Sequence, residues 1–241
     1  MRVFLAGATG VIGRRLVRLL RDAGIAVTGT TRMPAKGRAL STLGATPVVV
    51  DVFDAEALAR AVAAAQPDVI VHQLTDLPSA PGTPGYPEAL ERNARLRIEG
   101  TRNLMAAATS AGVGRVVTQS IAFVYAPGEG IRREEDALDT AADGARARTV
   151  AAVLALEDAT LNTPGIDGIV LRYGFLYGPG TWYEAPPQPP ALHVDAAAQA
   201  AFLAATRGRR GIYNIAEDDG AVSSDKAKRE LGFDAAFRIA P

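Results

Sequence analysis

The chain has 241 residues, 48% of them apolar, which is enough for a sizeable core in one domain or in one domain with a small appendage. Lys+Arg and Asp+Glu both number 26, so formal charge is zero and nucleic acid is not expected as a main partner. Cysteine is absent and there are only two histidines, His72 and His193; this excludes disulfides, thiolate chemistry and Cys-ligated metal, and no metal site is expected. No apolar run reaches the ~18–20 residues of a membrane span. Residues 2–6 enter a strand pattern at once, so no leader is expected and the expected location is the cytoplasm.

Short β-rich runs alternate with Ala/Leu-rich stretches. Residues 2–6, 25–30, 46–50, 69–73, 115–120, 168–172 and 211–215 read as strands, and 11–23, 54–65, 87–111, 145–162 and 194–206 as helices. Several strands are rich in Val and Ile without alternation, as in parallel strands covered on both faces. The pattern predicts an α/β fold, a Rossmann-type doubly wound parallel sheet. Residues 77–87 and 183–190 are Pro-rich and predicted as surface loops, the second a stiff connector. After them, 224–231 reads as a helix stopped by Gly232, followed by a short apolar strand.

Gly7-Ala8-Thr9-Gly10-Val11-Ile12-Gly13 follows the first strand and opens the first helix. In such a loop the first glycine permits a tight turn, the second lets the backbone approach a pyrophosphate, and the third allows close helix–strand packing. The helix N-terminus then offers free N–H groups and the positive end of its dipole. After the second strand, 29–36 holds no carboxylate to bond a ribose 2′-hydroxyl, but contains Arg32 and Lys36. A guanidinium suits a 2′-phosphate, so NADP(H) is favoured over NAD(H); a solvated loop charge is the alternative for Arg32.

The Gly-x-x-Gly-x-x-Gly spacing resembles that of the extended and atypical short-chain dehydrogenase/reductase superfamily, the proteins called NAD-dependent epimerase/dehydratase-like. Matching stretches follow in order: Asp51-Val52, His72-Gln73-Leu74-Thr75, Gly100-Thr101-Arg102-Asn103-Leu104, Ser120-Ile121-Ala122-Phe123-Val124-Tyr125, the segment from Leu171 through Tyr173-Gly174-Phe175 to Gly180, and His193-Val194-Asp195. The resemblance implies cofactor contacts from Gly7, Thr9, Gly10, Val11, Ile12, Gly13, Asp51, Val52, Leu74, Thr75, Tyr173, Gly174 and Phe175, with Asp51 alternatively a turn or capping aspartate. It implies a dinucleotide-binding part, 1–180, and a reduced substrate-binding part, 181–241, packed on it. It also implies a homodimer through helices near 87–111 and 145–162, unless the apolar face of the second (Val150, Val153, Leu154, Leu156) packs on the sheet instead.

In that superfamily a Tyr and a Lys four residues later share one helix face, and the ammonium lowers the phenol pKa for proton transfer. Aligning on Glu157 puts Thr149 at the tyrosine and Val153 at the lysine, and no Tyr or Lys occurs between Ile131 and Leu171. The Ser/Thr position is Ile121, with Ser120 beside it, and the usual Asn is Arg97, with Asn93 one turn earlier. Replacement proton donors are sought in Tyr125, Ser120, Tyr173 and Tyr177; packing is the other reading of Tyr125. Arg97 would bind an anionic substrate or sit in a dimer contact, and Trp182 and Tyr183 would stack on a flat substrate or plug their loop. Three functions stay open: an NADP(H)-dependent oxidoreductase or epimerase-like enzyme with a non-standard proton donor and a bulky small-molecule substrate, a non-catalytic dinucleotide sensor or scaffold, and a non-redox catalyst using the fold as a pocket.

Overall fold

The computed structural model describes residues 1–77 and 80–240. The chain runs β1 (Arg2–Ala6), α1 (Val11–Asp22), β2 (Ala26–Thr31), α2 (Pro34–Thr42), β3 (Thr46–Val49), α3 (Ala55–Ala65), β4 (Val69–His72), α4 (Tyr86–Arg95), a π-helical turn (Leu96–Gly100), α5 (Thr101–Ser110), β5 (Arg115–Ile121) and α6 (Gly144–Asn162). It continues with β6 (Asp167–Tyr173), β7 (Phe175–Tyr177), β8 (Ala191–His193), α7 (Val194–Arg207), β9 (Gly211–Ile215) and α8 (Asp225–Leu231). Seven strands form one parallel sheet in the order β3-β2-β1-β4-β5-β6-β9. Strand order reverses between β1 and β4, and ligands of such sheets bind at that switch point, beyond the carboxyl ends of the strands.

Strand alternation divides the core. Val3 and Leu5 of β1 join Leu16, Val17 and Leu20 of α1 and the alanines of α7 on one face. Phe4 and Ala6 join Leu58, Val62, Leu104 and Val116 on the other. Each fully buried large apolar side chain contributes about 1.5–3 kcal/mol. Helix α1 ends because Gly24 takes a left-handed conformation (φ +72°), turning the chain into β2. At α3, the Asp54 carboxylate accepts the Ala57 N–H at 2.9 Å and starts the helix.

The α/β class and the seven expected sheet strands are present, with ends shifted by a residue or two. Three short elements were not legible: α2, a weakly amphipathic helix led by Pro34, and the two strands of the small parallel pair β7–β8. The strand expected after Gly232 does not form. There the Asp234 N–H goes to Gln199 Oε1 (3.1 Å) and the Ile239 N–H to Asp195 Oδ2 (3.1 Å), so side chains take donors that a sheet would need. Of the loop expected at 77–87, positions 78 and 79 lie outside the described residues, and Tyr86 and Pro87 belong to α4, with Pro near its start where no N–H is needed. No helix among the described residues is long and apolar enough to cross a membrane.

Candidate active site

The loop after β1 builds the floor of a cleft at the switch point. Gly7 has φ +89°, and a Cβ there would stand 2.5 Å from the Gln73 carbonyl oxygen. A Cβ on Gly13 would stand 2.2 Å from the Gly7 oxygen, so α1 approaches the loop as only glycine permits. The first bond of α1 runs from Arg14 N–H to Gly10 C=O at 3.0 Å, which leaves the N–H groups of residues 11–13 aimed out of the helix without a side-chain cap.

An outer cavity of about 230 Å³ is lined by Gly7, Thr9, Gly10, Thr30, Thr31, Arg32, Met33, Lys36, Val52, Gln73, Leu74 and Thr75, among others. Two cations and no carboxylate border it. Arg32, itself half exposed, reaches the partly buried Asp76 at 3.5 Å, a long and screened pair of small energetic weight. The buried Gln73 Oε1 has no hydrogen-bond partner among the described residues. Free helix N–H groups, glycine-lined space, two cations and an orphaned amide oxygen fit a dinucleotide.

Gly10 and Thr75 also border an inner chamber of about 420 Å³. Six aromatic side chains line it, Tyr86, Phe123, Tyr173, Phe175, Trp182 and Tyr183, among aliphatic ones such as Leu90, Ile121 and Leu176. Phe123 and Phe175 stack with centroids 4.0 Å apart, and Tyr86 meets Trp182 edge-on at 6.3 Å. Asn93, Arg97, Gln119, Ser120 and Thr149 supply its polar lining. Tyr173 accepts from Gln73 Nε2 at 3.3 Å, and burial pushes its phenol far above the usual value. Burial also raises the Tyr86 phenol.

Under this chamber lies a buried polar network. Arg172 donates from Nε and Nη2 to the two Glu157 oxygens (2.9 and 2.7 Å), and Ser120 Oγ donates to Glu157 Oε1 at 2.7 Å. Arg172 Nη1 donates to the Tyr125 hydroxyl at 2.7 Å, and that hydroxyl donates to Asn214 Oδ1 at 2.7 Å. Nearby, His72 accepts the Leu74 N–H on Nδ1 (3.2 Å), so its Nε2 carries the proton toward Thr101 Oγ1 at 3.1 Å. Burial first, and the charge of Arg97 second, hold its pKa down to about 4, so it is neutral.

The structure sorts the expected site residues. Gly7, Thr9, Gly10, Arg32, Lys36, Val52, Leu74 and Thr75 meet at the outer cavity, and Val11, Ser120, Tyr173, Gly174, Phe175, Arg97, Trp182 and Tyr183 at the inner one. Ile12 is packed in the core, so only its backbone faces the loop. Asp51 is not brought to the lining: its carboxylate accepts the Phe53 N–H at 3.0 Å, the turn role. Tyr125 is not brought there either; its ring packs with Ala122, Val124, Leu138 and Val153, and both sides of its hydroxyl are used. Thr149 stands on the chamber wall, its hydroxyl donated to the Ala145 carbonyl, while Val153 is core. The Phe123–Phe175 stack and Tyr86 have no sequence signature, because each wall joins segments far apart in the chain.

A Rossmann-type dinucleotide-binding protein is what this sheet and cradle define. A model of the NAD dependent epimerase/dehydratase family matches residues 3–191, and the chain belongs to that family. It is similar to the 3-diazoavenalumate denitrifying reductase of a Streptomyces species, 41% identical over 91% of this chain and 77% of that one. It is 32% identical to a 3-beta-hydroxysteroid dehydrogenase of Mycolicibacterium neoaurum, over 57% of this chain and 36% of that one. Among solved structures, MoeE5 in complex with UDP-glucose and NAD matches with a TM-score of 0.77 at 21% identity, over 99% of this chain and 95% of that chain. WbmG of Bordetella bronchiseptica in complex with NAD gives 0.77 at 18% identity, over 99% and 90%. Family and reductase relatives together make this a dinucleotide-binding enzyme of oxidoreductase or epimerase-like type.

Proposed function

We propose that the protein is an NADPH-dependent reductase of an aromatic small molecule whose reduction needs no phenol–ammonium proton relay. The observation that carries this reading is the wall of α6, which offers the chamber Thr149 where a relay phenol would stand and sends Val153 into the core. Ser120, Tyr125 and Tyr173 do not replace it. Ser120 is committed to Glu157, Tyr125 is held below the chamber, and Tyr173 is a weaker acid than an ordinary phenol. We read Ser120 as a positioning residue, Tyr125 as a structural residue packed below the chamber, and Tyr173 as a wall of the reaction chamber.

When bound, the reduced nicotinamide supplies a hydride, and an aryl diazonium that takes up hydride overall leaves as N2 and an aryl C–H, with no oxyanion to protonate. The name of the Streptomyces relative supports this substrate class. Arg32 and Lys36 would hold the 2′-phosphate, the N-terminus of α1 the pyrophosphate, and the aromatic walls would orient the flat ring and exclude water. Residues 181–241 form the substrate-side part in this reading, with Trp182 and Tyr183 as its mouth. The working compartment is the cytoplasm, where NADPH is supplied. We further infer a homodimer that buries Ile98 and Leu154, the exposed apolar residues of the helices near 87–111 and 145–162, because Val150, Val153 and Leu156 are already spent within the chain.

The test is NADPH oxidation with 4-carboxybenzenediazonium against 4-formylbenzoate, with enzyme-free controls. Faster turnover of the diazonium with release of N2 is expected. Equal turnover of the aldehyde would refute the reading, and absence of NADPH binding would remove its basis.

A further inference from the structure

Arg97 is a buried cation with no partner among the described residues. It is 9% exposed, and among the described residues its guanidinium makes neither a hydrogen bond nor an ion pair. Buried charges are ordinarily paired, because removing one from water costs several kcal/mol unless an opposite charge or strong hydrogen bonds replace the hydration. The carboxylate whose charge acts on it is Glu157, whose two oxygens are already taken by Arg172 and Ser120. Arg172, Arg97 and Glu157 therefore leave one surplus positive charge under the chamber, since His72 is neutral. Tyr86, the other group that acts on Arg97, is an uncharged phenol near neutral pH.

Arg97 borders the aromatic chamber and not the outer cavity. It sits in the five-residue π turn that joins α4 to α5, an irregularity that re-aims side chains and recurs at functional positions. A chamber of about 420 Å³ falls in the size range of drug-sized ligand sites. Six aromatic side chains line it, and among the described residues Arg97 is the charged group of its lining.

We propose that Arg97 anchors a carboxylate of the substrate, so that the chamber takes an aromatic acid with its ring between the aromatic walls and its anionic end on the guanidinium. A planar guanidinium matches a carboxylate with two parallel hydrogen bonds, and in a water-poor site such a pair is stronger than at the surface. The proposal deepens the reductase reading by naming the substrate's charge, and it rests on that reading for the identity of the chamber.

The probes are trans-cinnamate and its neutral isostere cinnamamide. Each is titrated into the NADP+ complex and into the protein alone, followed by the fluorescence of Trp182, the chain's single tryptophan. Cinnamate should bind roughly tenfold to a hundredfold tighter than the amide, the scale of a charge-assisted hydrogen bond. Arg97→Met should erase that preference and Arg97→Lys should keep part of it. Without ligand, Arg97→Met should melt no lower than the parent, because it deletes an uncompensated charge, whereas a structural arginine would lower the melting temperature. Affinity for NADP+ should be unchanged. Equal binding of acid and amide to the parent overturns the proposal, as does an Arg97→Met variant that keeps the preference or loses NADP+ instead. Failure of the parent to bind NADP+ counts against the reductase reading alone, because the acid-to-amide ratio is still read on the protein without it.

Discussion

Glu157→Leu tests the buried network most directly. Glu157 and Arg172 are 4% and 3% exposed, and the carboxylate receives three hydrogen bonds at 2.7–2.9 Å from Ser120 and Arg172. Removing it leaves Arg172 buried without its carboxylate partner. Breaking one side of a buried pair costs about 3–5 kcal/mol. For a domain of this length, that lowers the melting temperature by roughly 6–20 °C. Urea denaturation and calorimetry of the parent, Glu157→Leu, Arg172→Met and the double variant make a full cycle. The double variant should recover to within about 1 kcal/mol of the parent, because both charges leave together. A loss below about 1 kcal/mol for Glu157→Leu, or a double variant as poor as the sum of the singles, would refute this account.

Three further outcomes are expected. Arg32→Asp should weaken NADPH binding by roughly tenfold or more while leaving NADH nearly unchanged, in parallel titrations; equal losses would show that Arg32 does not read the 2′-phosphate. His72 carries a pKa lowered to about 4 in the folded chain against 6.5 unfolded, so between those values the unfolded state binds more protons and stability falls as pH drops. That loss should total about 3 kcal/mol across the window and be much smaller in His72→Asn, as read from denaturation midpoints at several pH values. Tyr125→Phe should cost about 1–2 kcal/mol of stability by leaving Asn214 and Arg172 short of a partner; its turnover should match the parent's, and a large fall in kcat without loss of stability would return Tyr125 to the chemistry.

The parts of the site legible in sequence are those made by contiguous residues. Gly7, Gly10 and Gly13 carry their geometry in their residue type, and Arg32 and Lys36 follow β2 at a fixed distance. That α6 holds neither Tyr nor Lys is read directly from residues 144–162. Tyr125 and Asp51 were legible as residues but not as placements. The hydroxyl of Tyr125 is satisfied by Asn214, 89 positions away, and by Arg172, 47 positions away. The carboxylate of Asp51 serves its own turn. Helix α2 escaped notice because it buries little and lacks a clear apolar stripe.

By itself, the sequence determined the order of the seven sheet strands and the glycine cradle, because these depend on local backbone freedom and on which side chains exist. Tertiary structure decided which groups face the chamber, which hydroxyls are spent, and that Arg97 borders the chamber without an ion-pair partner among the described residues. Those outcomes depend on burial and on partners, and both are supplied by segments far away in the chain.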